Sequence, residues 1–211
     1  MSEKSKREIL SKIAAVRQTR TAATVVNNFN NEQIYKPILP DKITCFKSEL
    51  EAISGQCFLY NNDIELVEQL KSTIESKKIP VLFCKDNKII ELLTKHNIPF
   101  TNQDADFEKM EAGITSCEYL IARTGSIIIS SDGDSGRKMN VFPPIHIVIS
   151  TSSQILDYPE EAFLAIKNKY KNLLPSMITT ITGPSRTADI EKTLVLGAHG
   201  PKELIVFLSN N

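Results

Sequence analysis

The residues in this chain best suited to hold a ligand lie between Ile181 and Glu203, in the run ITGPSRTADIEKTLVLGAHGPKE. Its pattern predicts a strand ending at Thr182, a turn at Gly183-Pro184, and a helix over 187–196 capped by Ser185 or Thr187. At such a junction, free backbone N–H groups and a positive helix end face outward at the carboxyl edge of the sheet, where open α/β folds bind ligands. Arg186 would add a planar fork for phosphate or carboxylate. Asp189 competes with that role: in the first helical turn it can compensate the dipole and pair with Arg186, so structural capping is the alternative to anion binding. Gly197-Ala198-His199-Gly200-Pro201 reads as a helix stop and a tight turn into the last strand. His199 is then a loop imidazole, able to shuttle protons or to hold a carbonyl.

Three further places could carry chemistry. Glu118 precedes the apolar run YLIA and reads as an inward carboxylate with a raised pKa, a base or nucleophile without a local partner. Thr124-Gly125-Ser126 joins two apolar runs, and a glycine there lets a ligand approach the backbone closely. His146 lies in IHIVIS, on the same face as Val148, where an interior or rim histidine is the plain alternative to a ligand-binding one. The catalytic candidates are therefore Glu118 and His199, and the ligand-binding candidates are Thr124, Gly125, His146, Gly183, Ser185, Arg186, Thr187 and Asp189. No metal site is expected. Cys45, Cys57, Cys84 and Cys117 fall 12, 27 and 33 residues apart, without the Cys-x-x-Cys spacing that clamps zinc or an iron–sulfur cluster. Cys57 and Cys84 sit in apolar runs and read as inert, buried thiols. No Walker loop, GxGxxG or complete Ser-His-Asp signature is present.

The elements that must position these residues alternate between two periods. Apolar residues at helical spacing predict an amphipathic helix over residues 6–18, followed by an Asn- and Thr-rich arm from 18 to 42. Beyond residue 43, CFLY (57–60), VLFC (81–84), ITSCEYLIA (114–122), SIIIS (126–130), IHIVIS (145–150), MITTIT (177–182) and LIVFL (204–208) read as strands. Helices are expected after the first two strands, where Asn62 or Asp63 can cap one and residues 87–97 form the other, and again over 158–174. Two successive βα units imply parallel strands, and LIVFL, apolar on both faces, reads as a central one. The division is residues 1–42, an N-terminal helix and arm, and 43–211, an α/β domain.

Composition narrows the partners. The 211 residues carry 25 Lys+Arg against 25 Asp+Glu, so there is no broad positive field to draw in nucleic acid or anionic lipid. Apolar runs reach only about six residues, far short of the roughly 20 that span a bilayer. The first ten residues carry charges of both signs where a signal peptide needs an apolar run, so the expected compartment is the cytoplasm.

Three segments, EAGITSCEYLIARTGSIIISS (111–131), GRKMNVFPPIHIVISTSSQI (136–155) and TGPSRTADIEKTLVLGAHGPKELIVFL (182–208), together resemble the lactate-utilisation protein C family, also called the LUD domain. The resemblance covers roughly residues 45–208. It implies a fold like the NagB/RpiA/CoA-transferase group, a parallel-rich sheet flanked by helices with a ligand pocket in strand-end loops. The family's pattern falls here on Gly113, Thr115, Ala122, Thr124, Gly125, Gly136, Arg137, Pro144, His146, Gly183, Ser185, Arg186, Thr187, Asp189, Gly197, His199 and Gly200. It further implies two iron–sulfur partner proteins that, with this chain, oxidise L-lactate to pyruvate. Lacking a cluster motif or a nucleotide fingerprint, the chain itself is expected to be a non-redox subunit or accessory protein that binds an anionic ligand, with no cofactor of its own. The alternative is a stand-alone enzyme acting on a phosphosugar, folate or CoA ester, with Glu118 or His199 as acid or base and Arg186 as anion clamp.

Overall fold

The computed structural model describes residues 3–19, 37–171, 173–190 and 193–210. The chain divides into two units, Met1–Pro37 and Ile38–Asn211. In the first, helix α1 (Glu3–Thr19) covers the span where helical spacing is read. Most of the arm expected at 18–42 lies outside the described residues.

The second unit begins with an element that sequence pattern does not announce, helix α2 (Lys42–Ala52). Asp41 caps it, its carboxylate accepting from Thr44 N at 2.9 Å and from Thr44 Oγ1 at 2.7 Å. Then follow strand β1 (Gln56–Tyr60), helix α3 (Asp63–Lys77), β2 (Leu82–Cys84), helix α4 (Asn87–Lys95), β3 (Phe100–Thr101), β4 (Ala112–Thr115), β5 (Tyr119–Ile121), β6 (Ser126–Ser130), β7 (Ile145–Thr151) and β8 (Ile155–Leu156). Helix α5 (Pro159–Tyr170), β9 (Ile178–Ile181), β10 (Arg186–Ile190), β11 (Thr193–Leu196) and β12 (Glu203–Ser209) complete it. Asn62 caps α3 through hydrogen bonds from Ile64 N and Glu65 N, as its position before an apolar period predicts.

Six strands form an all-parallel sheet in the order β1-β12-β7-β4-β2-β3. The expected mixed α/β fold with a parallel-rich sheet is therefore present, and LIVFL is an interior strand paired on both sides. One face of this sheet (Leu82, Cys84, Ile114, Ile147, Ile205, Phe207) packs on Leu66, Val67 and Leu70 of α3 and on Ile89 and Leu93 of α4. The other (Cys57, Val148, Leu204, Val206, Leu208) meets α2 and a second, four-stranded sheet ordered β8-β5-β6-β9. Helix α5 covers the far side of that second sheet through Ala162 and Ile166, against Ile121 and Ile128. Alternate residues of each strand thus enter different cores, as the pleat requires.

Two expectations are corrected. ITSCEYLIA is not one strand: β4 and β5 belong to different sheets, and the chain between them is bent and tied down. There Glu118 N donates to Ile128 O at 2.8 Å and Gln154 Nε2 to Cys117 O at 2.6 Å. The helix expected at 187–196 is absent. Residues Arg186–Ile190 and Thr193–Leu196 pair antiparallel as a separate two-stranded ribbon with a bulge between Thr187 and Ile190. The cause is a pairing between segments: Ser185 N donates to Pro201 O at 2.8 Å and Gly197 N to Ser185 O at 2.9 Å, so the chain leaves Ser185 extended and paired. β-Branched Thr187, Ile190, Thr193 and Val195 suit that course better than a helix.

Candidate functional site

Without a helix after Ser185, no helix N-terminus stands there to receive an anion, and the turn before it is closed. Gly183 and Pro184 are buried, and the Ile53 carbonyl oxygen lies 2.8 Å from where a Cβ on Gly183 would sit. Gly125 fills the same need one strand away. At φ +60° it lets the Glu49–Leu50 backbone approach so closely that a Cβ would meet Leu50 N at 2.3 Å. The close approach read from Thr124-Gly125 is real, but the visitor is α2. Around it the hydroxyls are mutually satisfied, Thr124 Oγ1 to Ser126 Oγ at 2.7 Å and Ser126 Oγ to Thr182 Oγ1 at 2.8 Å.

The rest of the motif does converge, at the amino edge of the parallel sheet. The loops leading into β7 and β12 are joined there by Lys202 N donating to Pro144 O at 2.7 Å, and Gly200 stands against Ser185, whose Cβ would lie 3.2 Å from a Cβ on Gly200. Between them opens a pocket of about 350 Å³ lined by Val141, Phe142 and Pro144 on one side and by Gly197, Ala198, His199, Gly200 and Lys202 on the other. The stem of Lys202 lies across Gly197, where any side chain would collide with it. His199 is exposed, and exposed Arg186 opens β10 opposite Leu196, the residue before Gly197. Among the described residues, no hydrogen bond or ion pair engages the side chains of Arg186 and Lys202, and no carboxylate lines the pocket. Glu203, next in sequence, is tied to Lys77. The charges described at this edge are cationic, which suits a small anion. Thr187 lies in β10, half-buried, and Asp189 lies further along that strand.

His146 enters β7 beside Gly113 of β4 and is fully buried. Its Nε2 is 2.9 Å from Thr115 Oγ1, and burial holds the imidazole down to a pKa of about 4, neutral at physiological pH.

Glu118 lies at the opposite, carboxyl edge, just past β4. Its carboxylate has the partners that sequence pattern could not supply. Oε1 accepts from Ser130 Oγ at 2.6 Å and Tyr170 Oη at 2.5 Å, and Oε2 accepts from Lys169 Nζ at 2.7 Å. Burial pushes its pKa up, but the Lys169, Ser130 and Tyr170 hydrogen bonds outweigh that and hold it below the usual carboxylate value. The raised pKa expected of Glu118 is thus overturned: it is a fixed anion, not a poised acid. It lines a pocket of about 210 Å³ with Ser116, Asp132, Asp134 and Lys169, where carboxylates outnumber the cation. Since His199 sits at the amino edge and Glu118 at the carboxyl edge, one reaction cannot use both. Lys169, Tyr170 and Lys202 were invisible as site residues: the first two reach Glu118 from 51 and 52 residues away, and Lys202 is an ordinary loop lysine until Gly197 is folded beneath it.

The four cysteines are free. Cys45 and Cys57 belong to the core on one face of the parallel sheet and Cys84 to the core on the other. Burial pushes the thiols of Cys57 and Cys84 up to about 12, as expected of inert interior cysteines. No helix among the described residues is long and apolar enough to cross a membrane.

Comparison with known proteins agrees with this architecture. The chain is 30% identical to lactate utilization protein C of Bacillus subtilis, over 88% of this chain and 87% of that protein. It is 29% identical to lactate utilization protein C of a Geobacillus species, over 72% and 74% of the two chains. Its fold is similar to the crystal structure of a DUF162 family protein from Deinococcus radiodurans, with a TM-score of 0.61 and 17% identity, covering 80% of this chain and 96% of that one. The LUD domain profile matches residues 43–209, and the chain belongs to the LUD domain family.

Proposed function

We propose that this chain is a non-redox component of a bacterial, cytoplasmic iron–sulfur system that oxidises L-lactate, and that it binds a small organic anion at the amino edge of its parallel sheet. The role in lactate utilisation is carried from relatives named lactate utilization protein C, similar over most of their length. The observation that carries the anion site is the pocket between Val141–Pro144 and Gly197–Lys202, which gathers Lys202 and His199 with no described carboxylate in its lining, while Arg186 pairs with Leu196, the residue before Gly197. The carboxyl-edge pocket, with Glu118, Asp132 and Asp134 against Lys169, is electrostatically wrong for such a guest. The division of labour with partners is supported by the cysteines: Cys84 stands on the opposite face of the sheet from Cys45 and Cys57, so the four thiols do not converge on a cluster. Iron–sulfur clusters and the electrons then belong to partner proteins.

The test is reconstitution. The purified chain alone should give no lactate-dependent dye reduction, and its cluster-bearing partners should require it, with Lys202→Ala lowering the rate. Dye reduction by the chain alone would overturn the reading.

A second reading, a stand-alone enzyme acting on a phosphosugar, folate or CoA ester, is favoured by one observation, the Glu118–Lys169–Tyr170–Ser130 cluster at the edge where α/β enzymes place their sites. Turnover abolished by Glu118→Gln would support it.

A further inference from the structure

The end strand of a sheet exposes unpaired N–H and C=O groups, and it refuses a partner only when it is short, blocked, charged or bulged. Most ends in this fold are treated in one of these ways. β1, at one end of the parallel sheet, has two carbonyls capped by side chains: Lys47 Nζ donates to Cys57 O at 2.6 Å and Gln69 Nε2 to Leu59 O at 2.8 Å. β3, at the other end, and β8 of the second sheet are two residues long. The β10–β11 ribbon carries Arg186 and Asp189 and is bulged. β9 is different. It ends the second sheet, paired with β6 on one side, and among the described residues no hydrogen bond reaches the backbone of Ile178 or Thr180 from the other.

The pleat says which groups are free. Ser131 N donates to Met177 O at 2.9 Å, in the register that pairs Ser130 with Ile178 and Ile129 with Thr179. Bonded and non-bonded pairs alternate in an antiparallel ladder, so Met177, Thr179 and Ile181 address β6, while Ile178 and Thr180 turn N–H and C=O to the open side. Thr180 is exposed and Ile178 half-buried. The sequence does nothing to block this edge. Residues 173–185 hold no charge in a chain that is 24% charged, and 177–182 is β-branched at five of six positions.

We propose that β9 is a self-association edge: a second copy pairs antiparallel with it about a two-fold axis, joining two four-stranded sheets into one of eight. The N–H and C=O groups of Ile178 and Thr180 exchange hydrogen bonds with the same groups of the copy. A two-fold sets each side chain of the strand against itself or a near neighbour, so a charge on such an edge repels its own copy. A charge-free run is what an identical partner requires, whereas a partner of another sequence could answer a charge with its opposite. Leu173 and Leu174, 85% and 54% exposed in the segment leading into β9, add apolar surface to the same stretch.

The experiment is sedimentation equilibrium of the full chain over a dilution series, with Thr180→Lys, Thr180→Glu and an equimolar mixture of the two. Thr180 is exposed, so neither variant disturbs the core. The wild-type chain should be a dimer that dissociates on dilution. Each variant alone should weaken self-association by about tenfold or more, since like charges meet across the axis, and the mixture should restore it. Amide hydrogen exchange gives a second reading: protection of Ile178 and Thr180 should rise with concentration, while Thr179 and Ile181, bonded to β6, stay protected throughout. A wild-type chain monomeric at every concentration overturns the pairing and leaves the edge to a strand from another protein. A dimer indifferent to Thr180→Lys, or a mixture that stays monomeric, overturns it as well. Should the variants not fold, exchange at Ile178 and Thr180 in the wild-type chain decides.

Discussion

Gly125 turns at φ +60° directly against the backbone of Leu50, leaving 2.3 Å between Leu50 N and the position of a missing Cβ. This contact seats α2 on the second sheet, with Phe46 and Leu50 fully buried beneath it. Gly125→Ala meets both a left-handed φ and rigid backbone, so it should destabilise the domain by about 2–4 kcal/mol. Gly133→Ala, at a glycine with nothing within 4 Å, should stay within about 0.5 kcal/mol of the wild type. Urea denaturation of both variants checks the pair.

Glu118 and its three donors make stability depend on pH. Its folded pKa is depressed, so the contribution is fully present above the unfolded carboxylate value of 4.5 and is lost as pH falls through the lower folded value. Glu118→Gln should flatten that acid limb. Tyr170→Phe removes a 2.5 Å hydrogen bond and should raise the carboxyl pKa, as read by carbon NMR of the Glu118 side chain. An unchanged titration in Tyr170→Phe would mean the phenol contributes nothing.

His146 adds a second acid-sensitive step. Its folded pKa is lowered from 6.5 to about 4 by burial, so the unfolded chain binds this proton first, and stability falls between pH 6.5 and about 4. The loss should be on the order of 3 kcal/mol across that window. Melting curves of a Glu118→Gln background with and without His146→Leu separate it from the carboxylate, and the slope should vanish with the imidazole.

Local pattern made much of the architecture legible. SIIIS and IHIVIS lie in β6 and β7, Asn62 caps α3, and the βα alternation implies the parallel sheet, because side-chain period and capping chemistry are properties of neighbouring residues. The helix expected at 187–196 failed for the complementary reason. What holds that stretch extended is the pairing of Ser185 with Pro201 and Gly197, a contact between segments that no window of sequence contains. Helix α2 escaped notice because only Cys45, Phe46 and Leu50 of its eleven residues are buried, a weak stripe. The site was half legible: His199 does line a pocket, with Ser185 close to Gly200 beside it, whereas Glu118 acquired its character from Lys169 and Tyr170, far along the chain.

The central claim is that a small anion binds at the amino edge of the parallel sheet and not at its carboxyl edge. Amide NMR during titration with L-lactate tests this most directly. The account predicts shifts at Val141, Phe142, Ser185, Gly197 through Gly200 and Lys202, with Ser116 through Glu118 and Ser130 through Ser135 unmoved. Shifts confined to the residues around Glu118, or none at any concentration, would contradict it.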